Sequence, residues 1–232
     1  MSQNIGQLLT KRAYRDPGLE ALIEPASGRR FTYGELNARS NRVANALTDL
    51  GIDDGDRVGL LLMNGVEFIE SFFAVAKIGA VNVPLNWRLV ADELEFIISD
   101  AGAKVLIFSS EFSDVAAELR SRGTTAVEHW IQLGGEADAS VVDFDAWMSA
   151  GSEKEPVGTG SGSDLVFIMY TSGTTASPKG VMLPHEALVR HGFTIAQTRF
   201  ELTENDRVWS ALPLHHIGGM AFFFTCLAAG AT

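Results

Sequence analysis

The chain of 232 residues contains one cysteine, Cys226. No internal disulfide can form, which excludes the cross-linked framework of a small secreted domain. Cys226 lies in the run Phe222-Phe223-Phe224-Thr225-Cys226-Leu227, so a buried, inert thiol is expected. Positive charge is also scarce: 18 Lys and Arg stand against 29 Asp and Glu, a formal charge of −11. That balance argues against non-specific nucleic-acid binding and against attraction to anionic lipid. It leaves ATP open, because a local loop can hold phosphate against an unfavourable overall field. No apolar run approaches the ~20 residues of a membrane span, and no basic patch with an apolar run behind it opens the chain. A soluble cytoplasmic protein is the expectation. Hydrophobic residues make up 46% of the chain, enough for a sizeable core.

Helical and extended patterns alternate almost throughout. Residues 19–23 and 30–33 read as short strands joined by the turn Pro25-Ala26-Ser27-Gly28, a hairpin. Thr32-Tyr33-Gly34-Glu35 has the spacing of a capping box, and the helix behind it carries Leu36, Val43, Ala44, Leu47 and Leu50 on one face up to a stop at Gly51. Strands are predicted at 57–63, 80–83, 104–108 and 127–133, with helices at 68–78, 92–99 and 113–120 between them. Strands separated by helices in this way imply βαβ units and a largely parallel α/β sheet.

Residues 151–163, GSEKEPVGTGSGS, hold no large apolar side chain except Val157. They read as a linker or exposed loop dividing an α/β portion, 1–150, from a second portion, 164–232. Their glycines do not make a dinucleotide fingerprint: they precede a strand, and Ser163 occupies the last glycine position. Beyond them a strand is predicted at 164–170, another at 181–183, a helix at 185–199, a strand at 207–212 and an apolar helix or turn at 221–232. That last stretch needs a packing partner, since exposed it would aggregate.

The most informative segment is Tyr170-Thr171-Ser172-Gly173-Thr174-Thr175-Ala176-Ser177-Pro178-Lys179-Gly180-Val181. Hydroxyls, a glycine and a lysine directly after a buried strand can wrap phosphate oxygens, with backbone N–H groups donating and lysine adding a point charge. A threonine hydroxyl can also ligate Mg²⁺. The loop is not a Walker A sequence, since Pro178 and Gly180 stand where that pattern needs Gly and Ser or Thr. On composition alone a solvated polar turn is the other reading.

This stretch resembles the phosphate loop of the adenylate-forming superfamily, which differs only in having Gly at the position of Ala176. Three further stretches are similar to the same family: Phe31-Thr32-Tyr33-Gly34-Glu35-Leu36, Gly55-Asp56-Arg57-Val58 with Asn64 beyond it, and Gly79-Ala80-Val81-Asn82-Val83-Pro84-Leu85-Asn86. So is Pro213-Leu214-His215-His216-Ile217-Gly218-Gly219, where the family has an aromatic residue and then His at positions 215 and 216. By themselves two histidines after a proline read as a strand-end turn, and no Cys, Asp or third His at ligand spacing suggests zinc. The resemblance implies that His216 lies near the reacting carboxylate. It implies that Thr171, Ser172, Gly173, Thr174, Thr175, Lys179 and Gly180 bind ATP, with Thr171 or Thr174 handling Mg²⁺. His129, His185 and His191 are expected to be structural, and no G-x-S-x-G nucleophile motif is present.

The resemblance implies an incomplete N-terminal domain of an acyl-CoA synthetase, a ligase that turns ATP and a carboxylic acid into an acyl-adenylate and then uses coenzyme A. Fatty or aryl acids are the expected substrates. The family's adenine-contacting segment, acidic metal ligand and C-terminal lysine would lie downstream, so residues 1–232 alone are expected to be inactive. An adenylation module of a peptide synthetase and a non-catalytic nucleotide-binding fragment are the alternatives.

Overall fold

A computed structural model describes residues 4–158, 160–171 and 178–232. Helix α1 (Ile5–Arg15) leads into a hairpin of β1 (Glu20–Ile23) and β2 (Arg30–Thr32). The expected capping box starts α2 (Tyr33–Asp49): Glu35 N–H donates to Thr32 Oγ1 at 3.2 Å and Thr32 N–H to Glu35 Oε2 at 2.8 Å. Gly51 follows the helix with φ +81°, a conformation that glycine adopts without strain. Then come β3 (Arg57–Leu61), α3 (Val66–Lys77), β4 (Val81–Pro84), α4 (Ala91–Ala101), β5 (Ala103–Ser109), α5 (Ser113–Arg122) and β6 (His129–Leu133). β7 (Val142–Asp143), α6 (Phe144–Ala150), β8 (Leu165–Thr171), β9 (Lys179–Pro184), α7 (His185–Thr198) and α8 (Ile217–Ala229) complete the chain.

Seven strands form one sheet in the order β7-β6-β5-β3-β4-β8-β9, parallel except for β9, which pairs antiparallel with β8. Alternation along β5 shows how it is covered. Val105 and Ile107 join the core under α1, α2, α3, α7 and α8, while Leu106 and Phe108 join the core under α4 and α5. Helix α3 is buried along its whole length. Its three charged side chains are each partnered: Glu67 by Arg29 at 2.7 Å, Glu70 by Arg39 at 2.5 Å, and Lys77 by Glu155. Residues 151–158 lie along α2, whose Asn45 donates to the carbonyls of Ser152 and Lys154, both at 2.8 Å.

The structure departs from the sequence expectation at 207–212, which forms no strand. Among the described residues its backbone meets no strand: Val208 N–H donates to Thr232 O at 2.9 Å, and Leu212 O accepts from the Asn64 side chain. An extended segment without a neighbouring strand builds no ladder. The apolar run at 221–232 does find partners. As α8 it packs against α7, and its Phe224 meets Phe72 and Phe167 at 5.4 Å and 6.5 Å between ring centroids. The carbonyls at and just beyond the C-terminus of α8 are held by α1 and by the first residue of α2. Arg12 donates to Leu227 O at 3.3 Å and Ala228 O at 2.8 Å, and Tyr33 Oη to Ala231 O at 2.6 Å. A buried cation at a helix C-terminus satisfies both orphan carbonyls and the helix dipole. Cys226 is buried on this helix, and burial pushes its thiol up to about 11, as an inert thiol requires. No helix among the described residues is long and apolar enough to cross a membrane.

Candidate functional site

Parallel strands present their carboxyl ends along one edge of the sheet, where open α/β folds place ligands. Strand β8 ends there at Thr171, and antiparallel β9 begins there at Lys179, paired in register with Thr171. Both side chains are exposed at the mouth of this hairpin. Four expected phosphate-loop residues, Ser172, Gly173, Thr174 and Thr175, lie outside the described residues, as does Ala176. Gly180 pairs with Tyr170, and a Cβ on it would come 2.7 Å from Ile168 Cγ2 and 3.1 Å from the Tyr170 ring. Packing inside the hairpin therefore accounts for glycine at this position. Tyr170 is turned away to the other face, donating to Asp100 Oδ2 at 2.5 Å.

The histidine pair reaches the same edge by a different route. Asn82 of β4 is level with Phe167 of β8. β4 ends at Pro84, and Trp87 follows it at the same carboxyl edge of the sheet. The Trp87 ring meets His215 edge-on, with centroids 6.3 Å apart and planes at 89°. The Arg88 guanidinium lies over the Trp87 ring, 4.1 Å from its centroid. His215 is buried, and neither of its ring nitrogens has a partner among the described residues. Burial, with His216 and Arg88 beside it, pushes its pKa down to about 4, so the ring is neutral at pH 7.

His216 is the exposed member of the pair, its ring centroid 4.4 Å from that of His215. It stands immediately before α8, and its carbonyl accepts from Gly219 and Met220 N–H at 3.1 Å and 3.3 Å. An exposed imidazole is thus set at the positive end of a helix, an arrangement suited to a carboxylate or phosphate. Gly219 must be small, since a Cβ would lie 2.4 Å from Pro213 O, whereas Gly218 has only Leu212 Cδ1 at 3.5 Å. Trp87 and Arg88 carried no expectation from sequence; their signal is their position directly after a parallel strand. Beside α8 opens a cavity of about 540 Å³ lined mainly by apolar groups, Leu212, Leu214 and Phe223 among them.

A family model described as AMP-binding enzyme matches residues 9–232. The chain belongs to the AMP-binding enzyme family. Over 99% of its length it is 38% identical to a long-chain-fatty-acid–CoA ligase, FadD13, of Mycobacterium tuberculosis. Over 82% of its length it is 38% identical to a crotonobetaine/carnitine–CoA ligase of Salmonella heidelberg. Among solved structures, a Mycobacterium tuberculosis fatty acyl CoA synthetase covers 99% of the chain with a TM-score of 0.89 and 38% identity. An anthranilate CoA ligase with bound anthranoyl-AMP covers 100% of it with a TM-score of 0.91 and 28% identity. The chain spans 44%, 37%, 44% and 44% of these four proteins respectively.

Away from this edge, His185 opens α7 with its ring fully buried, its Nδ1 accepting from Ile5 N–H at 3.2 Å. Burial pushes its pKa down to about 4, against a weaker pull upward from Asp164. The folded value lies below the ~6.5 of an unfolded chain, so the unfolded state binds the proton first as pH falls. Stability is then lost between about pH 6.5 and pH 4. Glu70 works in the opposite sense. Burial raises it to about 7 despite Arg39, so its contribution declines as pH rises from ~4.5 to ~7. His185→Gln keeps an acceptor for Ile5 and leaves Glu70 in place. The loss of stability between pH 7 and pH 5, read from urea midpoints, is expected to be about 1–2 kcal/mol smaller in the variant. Equal losses in the two proteins would refute this role.

Proposed function

We propose that this chain supplies the phosphate-binding and acid-facing edge of an AMP-forming acyl-CoA ligase. What carries this reading is the convergence on one sheet edge of the Thr171–Lys179 hairpin mouth and of His216 at the start of α8. In the complete protein a carboxylate oxygen attacks the α-phosphorus of ATP, and the bond to pyrophosphate breaks. Lys179, with the hydroxyls and N–H groups of Ser172, Gly173, Thr174 and Thr175, holds the β- and γ-phosphates while charge develops on them. His216 and the N-terminus of α8 orient the carboxylate. The thiol of coenzyme A then attacks the acyl carbonyl and AMP leaves.

Among the described residues no group of three His, Cys, Asp or Glu side chains is placed to hold a metal. A hydroxyl of Thr171 or Thr174 would hold Mg²⁺ as a companion of the nucleotide. Bound there, the ion would supply neutralisation of phosphate charge. The relatives are CoA ligases for fatty, carnitine-type and aryl acids, which favours coenzyme A over a carrier-protein thiol and a fatty or aryl acid as substrate. A cytoplasmic setting goes with this use of ATP and coenzyme A. The proposed division at 151–163 puts the hairpin, α7 and α8 together in the second portion.

The test is carboxylate-dependent exchange of labelled pyrophosphate into ATP by the complete protein, across a panel of fatty and aryl acids. Exchange with at least one acid is expected, and none from residues 1–232 alone. No exchange with any acid, from protein that binds ATP, would favour a binding role.

A further inference from the structure

Asn64 follows β3 at the carboxyl edge and takes no part in the chemistry above. Its side-chain amide makes two hydrogen bonds to one turn. Nδ2 donates to Leu212 O at 3.0 Å, and Oδ1 accepts from Leu214 N–H at 2.9 Å. The amide spans Pro213, which has no N–H to offer, and serves the turn as a neighbouring strand would. The chain of contacts continues from there. His216 N–H donates to Pro213 O at 3.1 Å, and Gly219 of α8 packs against the same carbonyl. Besides this clamp, the turn meets the sheet side through the Trp87–His215 ring contact and through Leu214, half-buried against the main core. Residues 207–211 are in neither helix nor strand, and α8 is capped by Arg12 and Tyr33 only at its far end.

We propose that Asn64 is a positioning residue: its amide locks the 212–216 turn and thereby sets the His216 imidazole where the acid is held. The proposal rests on the placement of His216 given above. Asn64→Ala removes both hydrogen bonds. Asn64→Asp keeps the acceptor for Leu214 N–H but turns a charged oxygen towards Leu212 O. Asn64 is exposed, so neither change opens the core.

The experiment has two readouts. Amide hydrogen exchange on residues 1–232 is expected to be at least about tenfold faster at Leu214 and His216 in Asn64→Ala, with α3 and the central strands unchanged. In Asn64→Asp, Leu214 is expected to stay better protected than in the alanine variant. In the complete protein, Asn64→Ala is expected to raise KM for the acid roughly tenfold while KM for ATP stays within about twofold. A general loss of folding would not separate the two KM values. Unchanged exchange at Leu214 and His216 would overturn the clamp. Faster exchange with an unmoved KM for the acid would overturn the placement of His216 at the acid while leaving the clamp established.

Discussion

Phe72→Ala is expected to lower the stability of this chain by about 3–5 kcal/mol, the usual cost of emptying a fully buried phenylalanine site. Phe72 lies on α3 and is fully buried. Its ring stacks on Phe167 of β8, with centroids 4.8 Å apart and planes at 25°, and meets Phe224 of α8 at 5.4 Å. One side chain thus joins α3 to both β8 and α8. Phe167 and Phe224 also meet each other, with centroids 6.5 Å apart, so the three rings form one cluster. A domain of this size is stable by only about 5–15 kcal/mol, so the change removes a large fraction of the total. Urea denaturation would measure it, with Val157→Ala as the control. Val157 is 90% exposed, and its replacement should stay within about 0.5 kcal/mol. A loss below ~1 kcal/mol for Phe72→Ala would mean that the aromatic cluster does not close as described.

The second large effect is functional. In the complete protein, Lys179→Ala is expected to reduce kcat/KM for ATP in the exchange reaction by about 10²–10³-fold, the range for losing one preorganised group aimed at developing charge. The chain carries a net charge of −11, so a cation at the hairpin mouth works against the surrounding field and no neighbouring excess replaces it. Lys179→Arg keeps the charge but alters its geometry, and a partial loss is expected. Lys179 is exposed at the start of β9, so stability should change by less than about 0.5 kcal/mol. Undiminished exchange in Lys179→Ala would remove it from the phosphate site.

Much of the fold was legible because local rules agree with tertiary demands. The Thr32–Glu35 box, the stop at Gly51 and the alternating strand and helix patterns each mark one element, and each is found. What was missed at 142–150 carried a weaker sign. Asp143 caps α6, its Oδ1 accepting from Ala146 N–H at 2.8 Å, but the helix has only seven residues and little periodicity to detect. The strand expected at 207–212 failed for the opposite reason, since its residues suit a strand but a ladder needs a neighbour that local sequence does not specify. At the site, the loop motif marks Thr171 and Lys179 directly. The contacts of Trp87 with His215 and of Asn64 with the 212–214 turn join residues more than 100 positions apart. No periodicity within one segment encodes them.

The capping of α8 also has a consequence for how the polypeptide is made. Arg12 and Tyr33 leave the ribosome early, and the carbonyls they hold emerge 193–216 residues later. The receptor for α8 is therefore laid down well before α8 itself. Domains mature from the N-terminus during synthesis, so a nascent chain halted before α8 would hold Arg12, paired with Asp16, and Tyr33 with the carbonyls they cap still to come. Removing the first sixteen residues would strip that helix of its charged cap without touching its own sequence, and a severed α1 added back as a peptide has a ready-made seat to return to.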